Sequence, residues 1–78
     1  MPIQFNVYVV DEDGNPVVGK RVTVHWSIWR GHLEEFTDDS GHAWFDSPGE
    51  AGTGTIYVNG ENQGEHWIED GDGFTVEI

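Results

Sequence analysis

Asp11, Asp13, Asp38 and Asp39 stand in short turns beside Gly, Asn and Ser. Carboxylates gathered from several loops are what calcium takes, with about six to eight oxygen ligands. If successive strands run antiparallel, the turns holding Asp11–Asp13, Asp38–Asp39 and Glu61 share one end of the molecule. Asp11-x-Asp13-Gly14-Asn15 has no Glu at the twelfth loop position and so departs from EF-hand spacing. Asp and Asn also suit turns because their side chains mimic backbone hydrogen bonding. The expectation is a domain without a cofactor, with these four Asp residues as the calcium candidates. Zinc would need three or four ligands converging on one point. His25, His32, His42 and His66 offer neither a His-x-His nor a His-x3-His pair. They read as histidines of a sheet surface.

Catalytic chemistry finds little to use. Asp39-Ser40-Gly41-His42 places Ser, His and Asp together, but in one tight turn, where a nucleophile, a base and an oxyanion hole cannot be arranged around a substrate. Glu34-Glu35 and Asp38-Asp39 are carboxylate pairs, yet neighbours in an extended strand point to opposite faces. Glycoside hydrolysis needs two carboxylates facing each other across a cleft. No enzymatic activity is expected. The aromatics say more. Tyr8, Trp29, Trp44, Tyr57 and Trp67 fall on the solvent side of their strands by alternation. Large aromatics left on a sheet face mark a binding surface for protein or for stacked sugar rings.

The elements that carry these residues are strands throughout, with period-two alternation and no amphipathic helix. Ile3 to Val10 forms the first, with Ile3, Phe5, Val7 and Val9 on the core side. Arg21 to Trp29 is the second, with Val22, Val24, Trp26 and Ile28 inward. After a turn at Arg30-Gly31 come strands over His32–Thr37 and His42–Asp46, the latter burying Ala43 and Phe45. Ser47 to Gly54 reads as a Gly/Pro/Ser loop. Thr55–Asn59 follows, with Ile56 and Val58 inward, and then a turn bracketed by Asn59-Gly60 and Gln63-Gly64. The last two strands are Glu65–Glu69 and Phe74–Ile78, joined by Asp70-Gly71-Asp72-Gly73. Asp-Gly supplies the positive φ that hairpin turns need. Placing Trp67 inward would bring Glu65 and Glu69 with it, so Trp67 is read as outward and Ile68 as inward. Short strands with regular turn signals predict one all-β domain over residues 1–78, a seven-stranded antiparallel β-sandwich.

Val10-Asp11-Glu12-Asp13-Gly14-Asn15-Pro16-Val17-Val18-Gly19, followed by a β-branched strand and then by Thr37-Asp38-Asp39-Ser40-Gly41, resembles the repeated pattern of carboxypeptidase regulatory-like domains. These are transthyretin-like β-sandwiches. The resemblance implies that fold, with an immunoglobulin-like strand order as the alternative, and an accessory binding or spacer role. Beyond Asp46 the chain departs from the pattern, since Pro48-Gly49 precedes Tyr57 by a longer spacing than the family's Pro-Gly-x-Tyr.

Composition narrows the partners. Fifteen Asp and Glu against three Lys and Arg give a net charge of −12. That field repels nucleic-acid phosphates and anionic membranes and favours basic protein surfaces. It also suits surroundings rich in salt, which screens the self-repulsion. With no cysteine, neither disulfides nor thiolate sites support the core. The four Trp, four Phe and two Tyr compensate, each able to bury roughly 150–250 Å². No basic-then-apolar leader opens the sequence, and no apolar run approaches the roughly 20 residues that span a bilayer. Synthesis in the cytoplasm, as part of a particle or as a domain excised from an extracellular protein, is the expectation, and the compartment stays open. Function is expected to be association with a protein partner or self-assembly, as in a virion, filament, decoration or cell-surface component. The alternatives are a carbohydrate-binding module stacking sugars on Trp29, Trp44 and Tyr57, and an engineered binding scaffold.

Overall fold

The computed structural model describes residues 3–27, 31–48 and 50–78. Seven strands follow one another: β1 (Ile3–Val10), β2 (Arg21–Trp26), β3 (His32–Phe36), β4 (His42–Ser47), β5 (Gly52–Val58), β6 (Glu61–Ile68) and β7 (Gly73–Glu77). They form a three-stranded sheet of order β4-β1-β7 and a four-stranded sheet of order β3-β2-β5-β6. Alternation explains the core between them. Phe5, Val7 and Val9 of β1 meet Val22, Val24 and Trp26 of β2, Ile56 and Val58 of β5, and Phe45 of β4. Phe5 stacks on Phe45 at 5.0 Å between centroids and takes the edge of Trp26 at 6.0 Å.

One pair corrects the all-antiparallel expectation: β1 and β7 are parallel. Parallel neighbours need a long crossover, and here the whole path through β2 to β6 supplies it. Alternation assigns faces but not strand direction, so the sequence pattern carries no sign of this pair.

Two further differences lie in the second half. The stretch expected to be a loop up to Gly54 already pairs as strand from Gly52. A Cβ on Gly54 would lie 3.0 Å from both Ile68 and Val24 side chains, so glycine here admits close packing rather than a bend. The turn after β5 is only Asn59-Gly60, with φ of 53° and 85°, so β6 begins at Glu61. Positive φ at both central residues suits a tight hairpin. Gln63-Gly64 lies instead at a bulge, where the β5–β6 register slips between Thr55 and Tyr57 and Gly64 takes φ +107°. Ile28 and Trp29, expected to end the second strand, lie outside the described residues.

The acidic turns do share one end. Gly19 N–H donates to Thr37 O and Thr37 N–H to Lys20 O, each at 2.9 Å, which ties the β1–β2 loop to the β3–β4 turn. Asn59 N–H donates to Arg21 O at 2.8 Å and brings in the β5–β6 turn.

Candidate binding surface

The outer face of the three-stranded sheet carries a row of rings. Tyr8 lies opposite His42 across the β1–β4 pair, and Asn6 lies opposite Trp44. Tyr8 and His42 stack at 4.5 Å, and His42 and Trp44 at 5.7 Å, all within about 22° of parallel. Tyr8 and His42 are half-buried, whereas Trp44 remains 60% exposed.

The turn preceding β4 holds this row. Asp38 Oδ1 accepts the Ser40 N–H at 2.9 Å, the Ser40 hydroxyl at 2.7 Å and the His42 N–H at 3.1 Å. The Ser40 hydroxyl, ahead of the backbone N–H of His42, pulls the Asp38 carboxyl from 3.8 down to about 2, with a smaller contribution from the Trp44 side chain. Ser40 Oγ also lies 2.9 Å from His42 Nδ1. The single hydroxyl proton goes to the carboxylate, so Nδ1 must carry its own proton and donate to Oγ. His42 Nε2 is then the ring's acceptor in the neutral form. The order carboxylate, hydroxyl, imidazole differs from a nucleophilic relay, in which the imidazole lies between the other two and takes the hydroxyl proton. This chain of bonds orients rings.

Beside Trp44 the face dips into a recess of about 200 Å³. Trp44 forms one wall, Gln4, Phe5 and Asn6 the floor, and the Asp70-Gly71-Asp72 turn the other wall. That turn is sewn to β1: Gln4 N–H donates to Asp70 Oδ1 at 2.8 Å, and Gly71 N–H to Gln4 O at 2.7 Å. Asp72 Oδ2 accepts the Glu69 N–H at 2.7 Å. Indole face, amides and carboxylates thus converge on one shallow site, able to hold a cation or a polyhydroxylated ring. No protein-family model and no curated protein matches the chain.

The remaining aromatics are elsewhere. Tyr57 and Trp67 project from the outer face of the four-stranded sheet, where Tyr57 packs on His25 at 5.3 Å and His25 stacks on His32 at 5.2 Å. Trp67 is 58% exposed, with its indole N–H donated to Glu69 at 2.8 Å, and Ile68 is buried. Trp29 lies outside the described residues. Trp44 and Tyr57 therefore occupy opposite outer faces and share no stacking platform. Strand parity tells in from out, but not which sheet a strand joins. Gln4, Asn6 and the Asp70-Gly71-Asp72 turn drew no functional reading from sequence, because only the β1–β4 and β1–β7 registers bring them to Trp44. Phe36, 59% exposed opposite Arg21, is a further outward ring that alternation passed over.

The calcium candidates are occupied otherwise. Asp11 Oδ1 accepts the N–H groups of Asp13 and Asn15, each at 2.9 Å, which closes an Asx turn. Asp38 Oδ1 caps its own turn as above, while Asp13 and Asp39 are exposed. Among the described residues no three His, Cys, Asp or Glu side chains converge to hold a metal ion.

Proposed function

We propose that this domain is a transthyretin-like sandwich acting as a non-catalytic interaction module, docking onto a basic protein surface through the outer face of its three-stranded sheet. The observation carrying this reading is the Tyr8–His42–Trp44 row, whose orientation is fixed by the Asp38–Ser40 turn while Trp44 stays open to solvent. An exposed indole already held in place loses little rotamer freedom on binding, and such anchors dominate interface energies. Around it stand Asp38, Asp46 and Asp70, all exposed, which complement Lys and Arg. Arg over an indole face adds a cation–π contact.

A glycan-binding reading is favoured by one feature, the recess that joins Trp44 to the Gln4 and Asn6 positions and to Asp70 and Asp72. Sugar rings stack on indoles, and amides and carboxylates take their hydroxyls. Titration with an arginine-rich peptide and with neutral oligosaccharides, followed by Trp fluorescence on the native protein and on Trp44→Ala, separates the two. The expected result is saturable peptide binding that weakens by about thirtyfold in Trp44→Ala, equivalent to about 2 kcal/mol. Peptide binding indifferent to Trp44 overturns the docking face. Oligosaccharide binding that requires Trp44 transfers it to sugars.

A further inference from the structure

From the free edge of β7 we infer a second binding site: an acceptor for an extended, alternately apolar and basic segment of a protein partner, added as a fourth strand to the three-stranded sheet. This goes beyond the ring-bearing face, because it uses backbone groups at the sheet's edge.

The sheets are unequal, three strands against four. The shortfall lies beside β7, where a groove of about 590 Å³ opens between the start of β6 and the end of β7. It is lined by Glu61, Asn62 and Gln63 of β6, by Glu77 and Ile78 at the end of β7, and by Lys20. Further along the same gap, His66 of β6 rests on Phe74 of β7 at 5.0 Å, and both are half-buried. An added strand would place its apolar side chains over these rings.

The backbone of β7 is set for it. Asn6 N–H donates to Asp72 O at 3.0 Å and Ile78 N–H to Val10 O at 2.9 Å, with Asn6 opposite Gly73 and Val10 opposite Glu77. In a parallel ladder of that register, Phe74, Val76 and Ile78 bond toward β1. Gly73, Thr75 and Glu77 then direct their N–H and C=O groups to the open side. Among the described residues β7 pairs with β1 alone.

The other edges carry devices that discourage strand addition. β3 contains Glu34 and Glu35, β4 runs into Pro48, and β6 is bulged at Gly64. β7 has no bulge, no proline and one carboxylate, Glu77. Glu61 and Glu77 line the gap against one cation, Lys20, and the chain's net charge of −12 selects a basic occupant over a second copy of the chain. Strand addition would draw affinity from main-chain bonds and specificity from alternate side chains.

The test uses the intact protein and a short, end-blocked peptide alternating valine and lysine, with a proline–lysine peptide of equal charge as control. The expected result is saturable binding of the valine peptide alone, with amide-exchange protection appearing at Thr75 and Glu77. Thr75→Pro removes only an open-side N–H, a placement edge strands tolerate, and should weaken binding roughly tenfold, the equivalent of one lost hydrogen bond. Glu77→Lys should weaken it as well, whereas Trp44→Ala should leave it unchanged, which keeps this site distinct from the docking face. Equal binding of both peptides, or protection absent from Thr75 and Glu77, overturns the proposal whether or not Thr75→Pro folds. A native protein that doubles its mass through this edge, in a manner abolished by Thr75→Pro, also overturns it and assigns β7 to self-pairing.

Discussion

Gly41 and Gly14 form a matched pair for testing how the site is held. Both adopt φ +84°, in the left-handed region. A Cβ on Gly14 would meet nothing within 4 Å, whereas one on Gly41 would lie 2.8 Å from Pro16 Cβ and 3.0 Å from Val9 O. Gly41 cannot slide away, because its N–H donates to Asp38 O at 2.9 Å and its C=O accepts Val9 N–H at 2.8 Å. Gly14→Ala should therefore cost only the left-handed penalty, about 1–2 kcal/mol. Gly41→Ala adds an overpacking cost of about 1–3 kcal/mol, since its neighbours are backbone and a rigid proline ring. The sum of about 2–5 kcal/mol is large against the roughly 4–12 kcal/mol expected for a domain of this size. Urea unfolding followed by fluorescence reads the difference. With a slope of about 1 kcal/mol per M, the Gly41→Ala midpoint should fall about 1–3 M below that of Gly14→Ala. Ser40 and His42 flank Gly41, so the Trp44 emission of the folded variant should change as well. Coincident midpoints would refute the close approach and with it the account of how the ring row is positioned.

The Asp38 carboxyl, held at about 2 against an ordinary 3.8, favours the folded state fully above 3.8 and loses that contribution as pH falls through about 2. Ser40→Ala removes the largest cause, so carbon-detected titration should show the Asp38 midpoint rise and the acid sensitivity in that window shrink. Phe5→Ala, at a site 1% exposed, should destabilise by about 3–5 kcal/mol, whereas Trp44→Ala should stay within about 0.5 kcal/mol of the native protein in the same unfolding assay. Because Asp11 and Asp38 close their own turns through Oδ1, calcium or EDTA should leave the melting temperature unchanged. A rise with calcium would show that these turns bind the ion.

Strand existence was legible because burial enforces alternation. β1 begins and ends where the pattern of Ile3, Phe5, Val7 and Val9 places it. The outward placement of Trp67 followed from the cost of burying Glu65 and Glu69, and the structure agrees. Errors arose where glycine carries more than one meaning. Gly52 and Gly54 read as loop but lie in β5, since a missing Cβ serves close packing as well as a bend. Gln63-Gly64 read as a turn but accompanies a bulge, because Asn59-Gly60 had already reversed the chain. The site was legible only residue by residue. Alternation places Tyr8 and Trp44 outward, yet their union with His42, Gln4 and Asn6 depends on β4 pairing with β1, a contact of high sequence separation that no local pattern encodes.

In the proposed docking, the charge and the rings act on different steps of association. Asp46, Glu77 and the Asp70–Asp72 turn border the outer face and edge of the three-stranded sheet, while Glu34, Glu35, Glu61 and Glu65 lie in the four-stranded sheet together with Arg21. The field of this acidic chain, in the proposed docking, draws a basic partner in before contact, an effect that raises the on-rate and is weakened by salt. Trp44 in that docking acts after contact, through desolvated area and a cation–π interaction, and so sets the off-rate. Charge-neutralising changes such as Asp46→Asn should slow association and flatten its salt dependence with little effect on dissociation. Trp44→Ala should speed dissociation and leave the salt dependence intact. Stopped-flow traces across ionic strength would distinguish these effects, and a Trp44→Ala variant altered only in association would contradict the division of roles.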